Sequence, residues 1–318
     1  MTGERGSLRA RTVRQLSALT AGRLAALAPV NAYTLPPSRL LIEQVLRAGA
    51  PPLRGTTTEA VAEAGAGVRG EWVRGPRAQR TDAVVLYVHG GGFVAGSAFG
   101  YRGVASRLST ATQLPVFTLD YRLAPEHPFP AAPRDVAAAF RWLTSLGHPP
   151  GRIVVAGDSA GGFLAAHLAI ENAAAGGPQP GALLLFSPMA DLSLTLAAGH
   201  PGAHRDGLLS EQVARRAIAH FTDAPFALRP LDGMRLPPLL VHAGATEYFR
   251  ADAEQLAHTW LATGAPCQLR VWPDQMHAFQ TLPSVVPESR TAYRAAARFV
   301  ADHLVTAPAV VNQKVSAS

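Results

Sequence analysis

Short runs of aliphatic and β-branched residues recur through the middle of the chain, separated by longer stretches whose apolar positions fall three and four residues apart. The short runs predict buried strands at 83–89, 115–121, 152–157, 182–187, 238–243 and 267–272, with two less regular strands ahead of them at 58–63 and 69–73. The longer stretches predict helices at 101–112, 133–145, 160–175, 251–263 and 287–303. Pro133 suits the start of its helix, and Gly176-Gly177-Pro178 is a strong stop signal. Apolar strands alternating with helices describe an α/β protein, a mostly parallel eight-stranded sheet flanked by helices on both faces.

Two segments break the alternation. Residues 1–50 are helical in pattern and precede the sheet, and residues 191–235 separate two strands and hold a helix near 210–221. An insertion after a strand is where a lid would sit. The reading is one domain, with a core at about 56–190 and 236–305. The tail 306–318 has no periodicity and reads as disordered.

Composition narrows the class. Of the 318 residues, 48% are hydrophobic and 16% charged, which is globular and far from the profile of disorder. No stretch reaches the ~18 consecutive apolar residues of a membrane-spanning helix. At the N-terminus Arg14 and Arg23 interrupt the apolar run, so an amphipathic basic helix fits better than a signal peptide, and a cytoplasmic location is expected. Cys267 is the only cysteine, which excludes an intramolecular disulfide; its apolar run suggests a small buried thiol. The net charge of +7 raises nucleic acid and anionic membranes as partners. The positive charge is almost all arginine spread along the chain, with a mild cluster at Arg5, Arg9, Arg11 and Arg14 and no nucleic-acid motif. A solvated surface is the expectation, without nucleic acid and without stable membrane association.

Gly157-Asp158-Ser159-Ala160-Gly161-Gly162 contains G-x-S-x-G between an apolar strand and a helix of small residues. That context makes a nucleophile elbow: glycine on both sides permits a tight turn that lifts the serine hydroxyl clear of the sheet at a helix N-terminus. His89-Gly90-Gly91-Gly92-Phe93 follows the apolar strand ending at Val88. Its glycines let backbone N–H groups approach a substrate oxygen, so Gly91 and Gly92, with Ala160 after the nucleophile, are the candidate oxyanion-hole donors. One such donor is worth about 3–4 kcal/mol in the transition state. Neither a P-loop nor a dinucleotide fingerprint is present.

HGGGF followed by GDSAGG resembles the hormone-sensitive-lipase family of esterases, bacterial family IV, within the α/β-hydrolase superfamily. Asp120-Tyr121-Arg122-Leu123-Ala124-Pro125-Glu126, Ser187-Pro188-Met189-Ala190-Asp191-Leu192 and Leu236-Pro237-Pro238 extend the resemblance over roughly residues 65 to 300. It implies an α/β-hydrolase fold with a helical cap, where segments 1–50 and 191–235 stand. Chain order in this fold is nucleophile, acid, histidine. Trp272-Pro273-Asp274-Gln275-Met276-His277-Ala278-Phe279 is similar to the family's histidine loop, which implies His277 as base. The family's acid is usually Asp in G-x-x-D-x-L-x-D; this chain reads Gly244-Ala245-Thr246-Glu247-Tyr248-Phe249-Arg250-Ala251-Asp252, so Glu247 stands at the acid position. Asp252 is the rival, expected inside the next helix and pointing away.

The implied function is a serine carboxylesterase acting on short-to-medium acyl esters through Ser159, His277 and Glu247 by an acyl-enzyme, without a cofactor. A small-molecule ester is its expected partner, and the resemblance allows a homodimer, for which an edge strand at 267–272 would be the seam. A lactone, amide or formamide hydrolase with the same triad is the alternative, and a non-catalytic receptor on this fold or a membrane-surface lipase stands further off. Asp158 and Asp120 read as loop braces. His200 and His204 have a metal-like spacing but no third ligand, so no metal is expected.

Overall fold

The computed structural model describes residues 5–20, 34–200 and 205–304. Eight strands form one sheet in the order β1-β2-β4-β3-β5-β6-β7-β8. They are β1 Thr57–Glu63, β2 Val68–Arg74, β3 Val84–Val88, β4 Val116–Leu119, β5 Ile153–Asp158, β6 Ala182–Phe186, β7 Leu239–Gly244 and β8 Cys267–Trp272. β1 and β2 pair antiparallel and β2 joins β4 antiparallel, while every pairing from β4 to β8 is parallel. The reversal lies at the β1 side, so β3 and β5 to β8 all present their C-terminal ends to one rim, where ligand and catalytic sites of open α/β sheets form.

Helices cover both faces. α1 is Leu8–Leu19, α2 Leu35–Gly49, α3 Ala98–Thr112, α4 Ala131–Ser145, α5 Ala160–Ala174, α6 Thr195–Ala198, α7 Glu211–Phe221, α8 Arg250–Ala262 and α9 Glu288–His303. Side chains alternate between faces along each strand. Leu86, Val155, Leu185 and Val241 therefore meet α4, α5 and α8 through Phe140, Phe163 and Trp260. Tyr87, Val154 and Leu184 meet α3 and α9 through Leu108 and Phe299. Each fully buried side chain of this kind contributes about 1.5–3 kcal/mol of apolar transfer.

Both irregular segments carry helices where described. α1 is capped by Ser7, whose hydroxyl accepts from Ala10 N and whose amide donates to Glu288, while Gly6 N donates to Asp274. The N-terminal helix thus rests on the loop that carries His277. α6 and α7 lie between β6 and β7. His204 and the tail 306–318 fall outside the described residues.

Three expectations need correction. β8, at the sheet edge, has its middle exposed, and Cys267 on it is half-buried, because β8 pairs only with β7 and Gln268 and Arg270 face solvent. α3 begins at Ala98 rather than 101, since Ser97 caps it by accepting from Gly100 N. α4 begins at Ala131, which leaves Pro133 in its first turn, where the ring still displaces no intrahelical bond.

Candidate active site

Ser159 stands between β5 and α5 with φ +52° and ψ −119°, a conformation L-residues avoid. The turn is held by Ser159 N donating to Phe186 O and by Ser159 O accepting from Phe163 N and Met189 N. Its tightness explains Gly161: a Cβ there would lie 2.0 Å from the carbonyl oxygen of Val88. The strained backbone carries the hydroxyl to the rim, where His277 Nε2 lies 2.8 Å from Ser159 Oγ. Burial lowers the His277 imidazole to about 3, so the resting ring is neutral.

The loop after β3 runs beside this pair. Gly91 and Gly92 have φ +109° and +62°, and a Cβ on Gly91 would meet Ala95 O at 2.2 Å. Among the described residues, the amides of Gly91, Gly92 and Ala160 donate to no backbone or side-chain acceptor. The incoming limb of the loop is fixed by Asp158, which accepts from Gly90 N, Tyr87 Oη and Tyr101 Oη. Asp120 accepts from Ala98 N.

Glu247 follows β7 and is buried. Ser187 Oγ donates to its Oε2 at 2.6 Å and itself accepts from Ala278 N at 3.0 Å, so one hydroxyl joins Glu247 to the histidine loop. Thr246 Oγ1 also donates to Gln275 O, and Ala245 N to Trp272 O. Glu247 Oε1 and His277 Nδ1 are both buried without a hydrogen-bond partner, and no hydrogen bond joins the two. Burial pushes the Glu247 carboxyl well above its usual range, and the Ser187 hydroxyl and the Gly244 amide oppose that shift. Asp252 lies in the first turn of α8 and turns elsewhere: its Oδ1 accepts from Ala190 N and Asp191 N at 2.9 and 2.8 Å.

Known proteins resemble this chain in sequence and fold. Residues 85–281 match the family described as the alpha/beta hydrolase fold. The acetyl-hydrolase of Streptomyces hygroscopicus is 37% identical over 236 residues, spanning 72% of this chain and 78% of its own. Esterase LipU of Mycobacterium tuberculosis is 35% identical over 235 residues, spanning 70% and 79%. A solved esterase from the bacterial hormone-sensitive lipase family superposes with a TM-score of 0.83 at 33% identity, over 95% of this chain and all of that one, 100%. The chain belongs to the hormone-sensitive-lipase family. It is an α/β-hydrolase and a carboxylic ester hydrolase, which sets aside the receptor reading.

Two residues beside the candidate site carry no mark of their role in the sequence. Ser187 sits inside a family-like motif, but its role depends on Glu247 and Ala278, which are remote in sequence. Asp206, from the insertion between β6 and β7, accepts from Tyr248 N and Leu208 N at 2.9 Å each. Burial raises it to about 6, against the amides of Leu208, Tyr248, Leu209 and His277. One carboxylate of the insertion thus touches the loops of both Glu247 and His277; no local pattern marks it. Among the described residues no cluster of His, Cys, Asp or Glu could hold a metal, and no described helix is long and apolar enough to cross a membrane.

Proposed function

We propose that the esterase works by two-step acyl transfer, with Ser159 as nucleophile, His277 as general base and Glu247 as the acid that orients the imidazole. The observation that carries this reading is the 2.8 Å separation of Ser159 Oγ and His277 Nε2 at a serine held at positive φ. As Ser159 attacks the ester carbonyl, its proton passes to Nε2. The oxyanion forms against the unengaged amides of Gly91, Gly92 and Ala160. His277 then protonates the leaving alcohol, and water repeats the sequence on the acyl-enzyme. The lone acceptor Glu247 Oε1 and the lone donor position His277 Nδ1, on loops already laced together, are complementary and support their pairing as charge develops on the ring.

Short-to-medium acyl esters are the proposed substrates. Phe93, next to the oxyanion glycines, stacks on Phe221 with ring centroids 3.8 Å apart, and Phe129, Phe163 and Phe226 pack against the pair, an apolar wall beside the site. A relative is named an acetyl-hydrolase, and a similar solved esterase, EstE5, was soaked with p-nitrophenyl butyrate. In this proposal segments 1–50 and 191–235 form the cap of a single domain, the open edge of β8 serves a homodimer, and the location is cytoplasmic. The test is hydrolysis of p-nitrophenyl esters from acetate to palmitate by the wild type and by Glu247→Ala and Asp252→Ala. A peak at short chains, abolished by Glu247→Ala alone, is expected. A wild type that prefers palmitate contradicts the substrate class, and an active Glu247→Ala contradicts the acid.

A further inference from the structure

The two limbs of the oxyanion loop are held differently. The incoming limb is fixed from the core by Asp158, whereas the outgoing limb is gripped by α2, far upstream in the chain. Arg39 Nε donates to Val94 O at 2.7 Å, two residues past Gly92, and its Nη2 donates to Ala124 O at 2.9 Å. Nη1 and Nη2 also clasp Glu126 at 2.8 and 2.7 Å. Ala124 N returns a bond to Phe93 O at 3.0 Å. One turn along α2, Glu43 accepts from Ser97 Oγ at 2.6 Å, where the loop enters α3.

We infer that Arg39 is a positioning residue for ester hydrolysis, fixing the Val94 carbonyl and with it the Gly91 and Gly92 amides where the oxyanion develops. The inference rests on the proposal that those amides form the oxyanion hole. Glycine populates positive and negative φ alike, so Gly91 and Gly92 depend on their contacts for a fixed geometry. Gly91 O accepts from Val94 N and Ala95 N, so the grip of Arg39 on Val94 O reaches the glycines through that turn. Pre-organised donors must be fixed before the reaction to stabilise its charge. A planar guanidinium can meet two carbonyls and a bidentate carboxylate at once; a lysine ammonium, a compact point charge, cannot reproduce that fork. The Arg39 and Glu126 side chains are 25% and 53% exposed, so as an ion pair they add little to stability. Positioning and mere structural support therefore predict different readouts.

The experiment compares the full-length wild type with Arg39→Met, Arg39→Lys and Glu126→Gln. It measures kcat and KM on p-nitrophenyl butyrate, the inhibition constant of a trifluoromethyl ketone whose hemiketal with serine carries an oxyanion, and the urea midpoint. Arg39→Met is expected to lower kcat on the order of 10²-fold with little change in KM. It should weaken the ketone by a similar factor, while the urea midpoint falls only as the loss of two carbonyl bonds requires and the enzyme stays folded in the assay. Arg39→Lys should not restore kcat, and Glu126→Gln should cost less because both carbonyl bonds of Arg39 survive. Wild-type kcat and ketone affinity in Arg39→Met overturn the inference, as does a kcat loss that merely tracks the urea midpoint. A wild type that hydrolyses the ester but is not inhibited by the ketone overturns the oxyanion assignment itself.

Discussion

Replacing Ser187 by alanine tests how Glu247, the proposed acid, is held. Ser187 is fully buried, accepts from Ala278 N and donates its one proton to Glu247 Oε2. The substitution removes one oxygen, leaves the amide beside His277 without an acceptor and strips Glu247 of its side-chain donor. A neutral hydrogen bond contributes about 1 kcal/mol and one to a charged group about 1.5–3 kcal/mol, so the variant should lose about 3 kcal/mol in equilibrium urea unfolding. Ser187 has φ +50°, a strain alanine would share, so backbone conformation does not confuse the comparison. Because Glu247 and the histidine loop lose their common tether, kcat on p-nitrophenyl butyrate should fall by about 10²-fold. A stability change below about 1 kcal/mol, set against that expected hydrogen-bond loss, together with wild-type kcat, refutes the reasoning.

Other consequences follow from the same contacts. Glu247→Gln should lower kcat about 10⁴-fold while the protein stays folded, as wrong-tautomer variants of such triads do; Asp252→Ala should instead mainly destabilise, by about 1–3 kcal/mol for each stranded amide of Ala190 and Asp191, visible in urea unfolding. Phe221→Ala opens a cavity beside the stacked Phe93 and should cost about 3–5 kcal/mol, measured the same way. His242 is buried between Phe186 and Trp272 with neither ring nitrogen bonded, and burial lowers it from 6.5 to about 3. Below pH 6.5 the unfolded chain takes up a proton that the folded chain refuses, so this residue withdraws about 1.4 kcal/mol of stability per pH unit as pH falls from 6.5 towards 3. His242→Phe should therefore gain on the wild type by about 2 kcal/mol between pH 7.5 and pH 5; an equal difference at both pH values contradicts the burial argument.

The sheet was legible because parallel strands buried on both faces read as continuous apolar runs. β8 was read as an edge strand, but its exposure was not foreseen: Leu269 and Val271 look like core, yet the strand has one neighbour and its middle faces solvent. Ser159, Gly91 and Gly92 could be proposed from the sequence because their backbone conformations restrict which residues fit, and that restriction is local. His277 and Glu247 came from the resemblance, as residues after particular strands. Ser187, Asp206 and Arg39 act through partners 40 or more residues away, such as Tyr248 for Asp206 with a separation of 42, and no spacing rule reaches that far. The insertion between β6 and β7 was visible only as a helix; that it delivers a carboxylate to both site loops is a tertiary fact.

The central claim is that Ser159, activated by His277, attacks the acyl carbon. Its most direct measurement is peptide mapping after reaction with an organophosphate such as diethyl p-nitrophenyl phosphate, in the wild type and in His277→Ala. The account predicts stoichiometric modification of Ser159, loss of esterase activity in step with labelling, and far slower labelling of His277→Ala. Modification at another residue with activity lost, or an unlabelled Ser159 in a chain that still hydrolyses p-nitrophenyl butyrate, would contradict it.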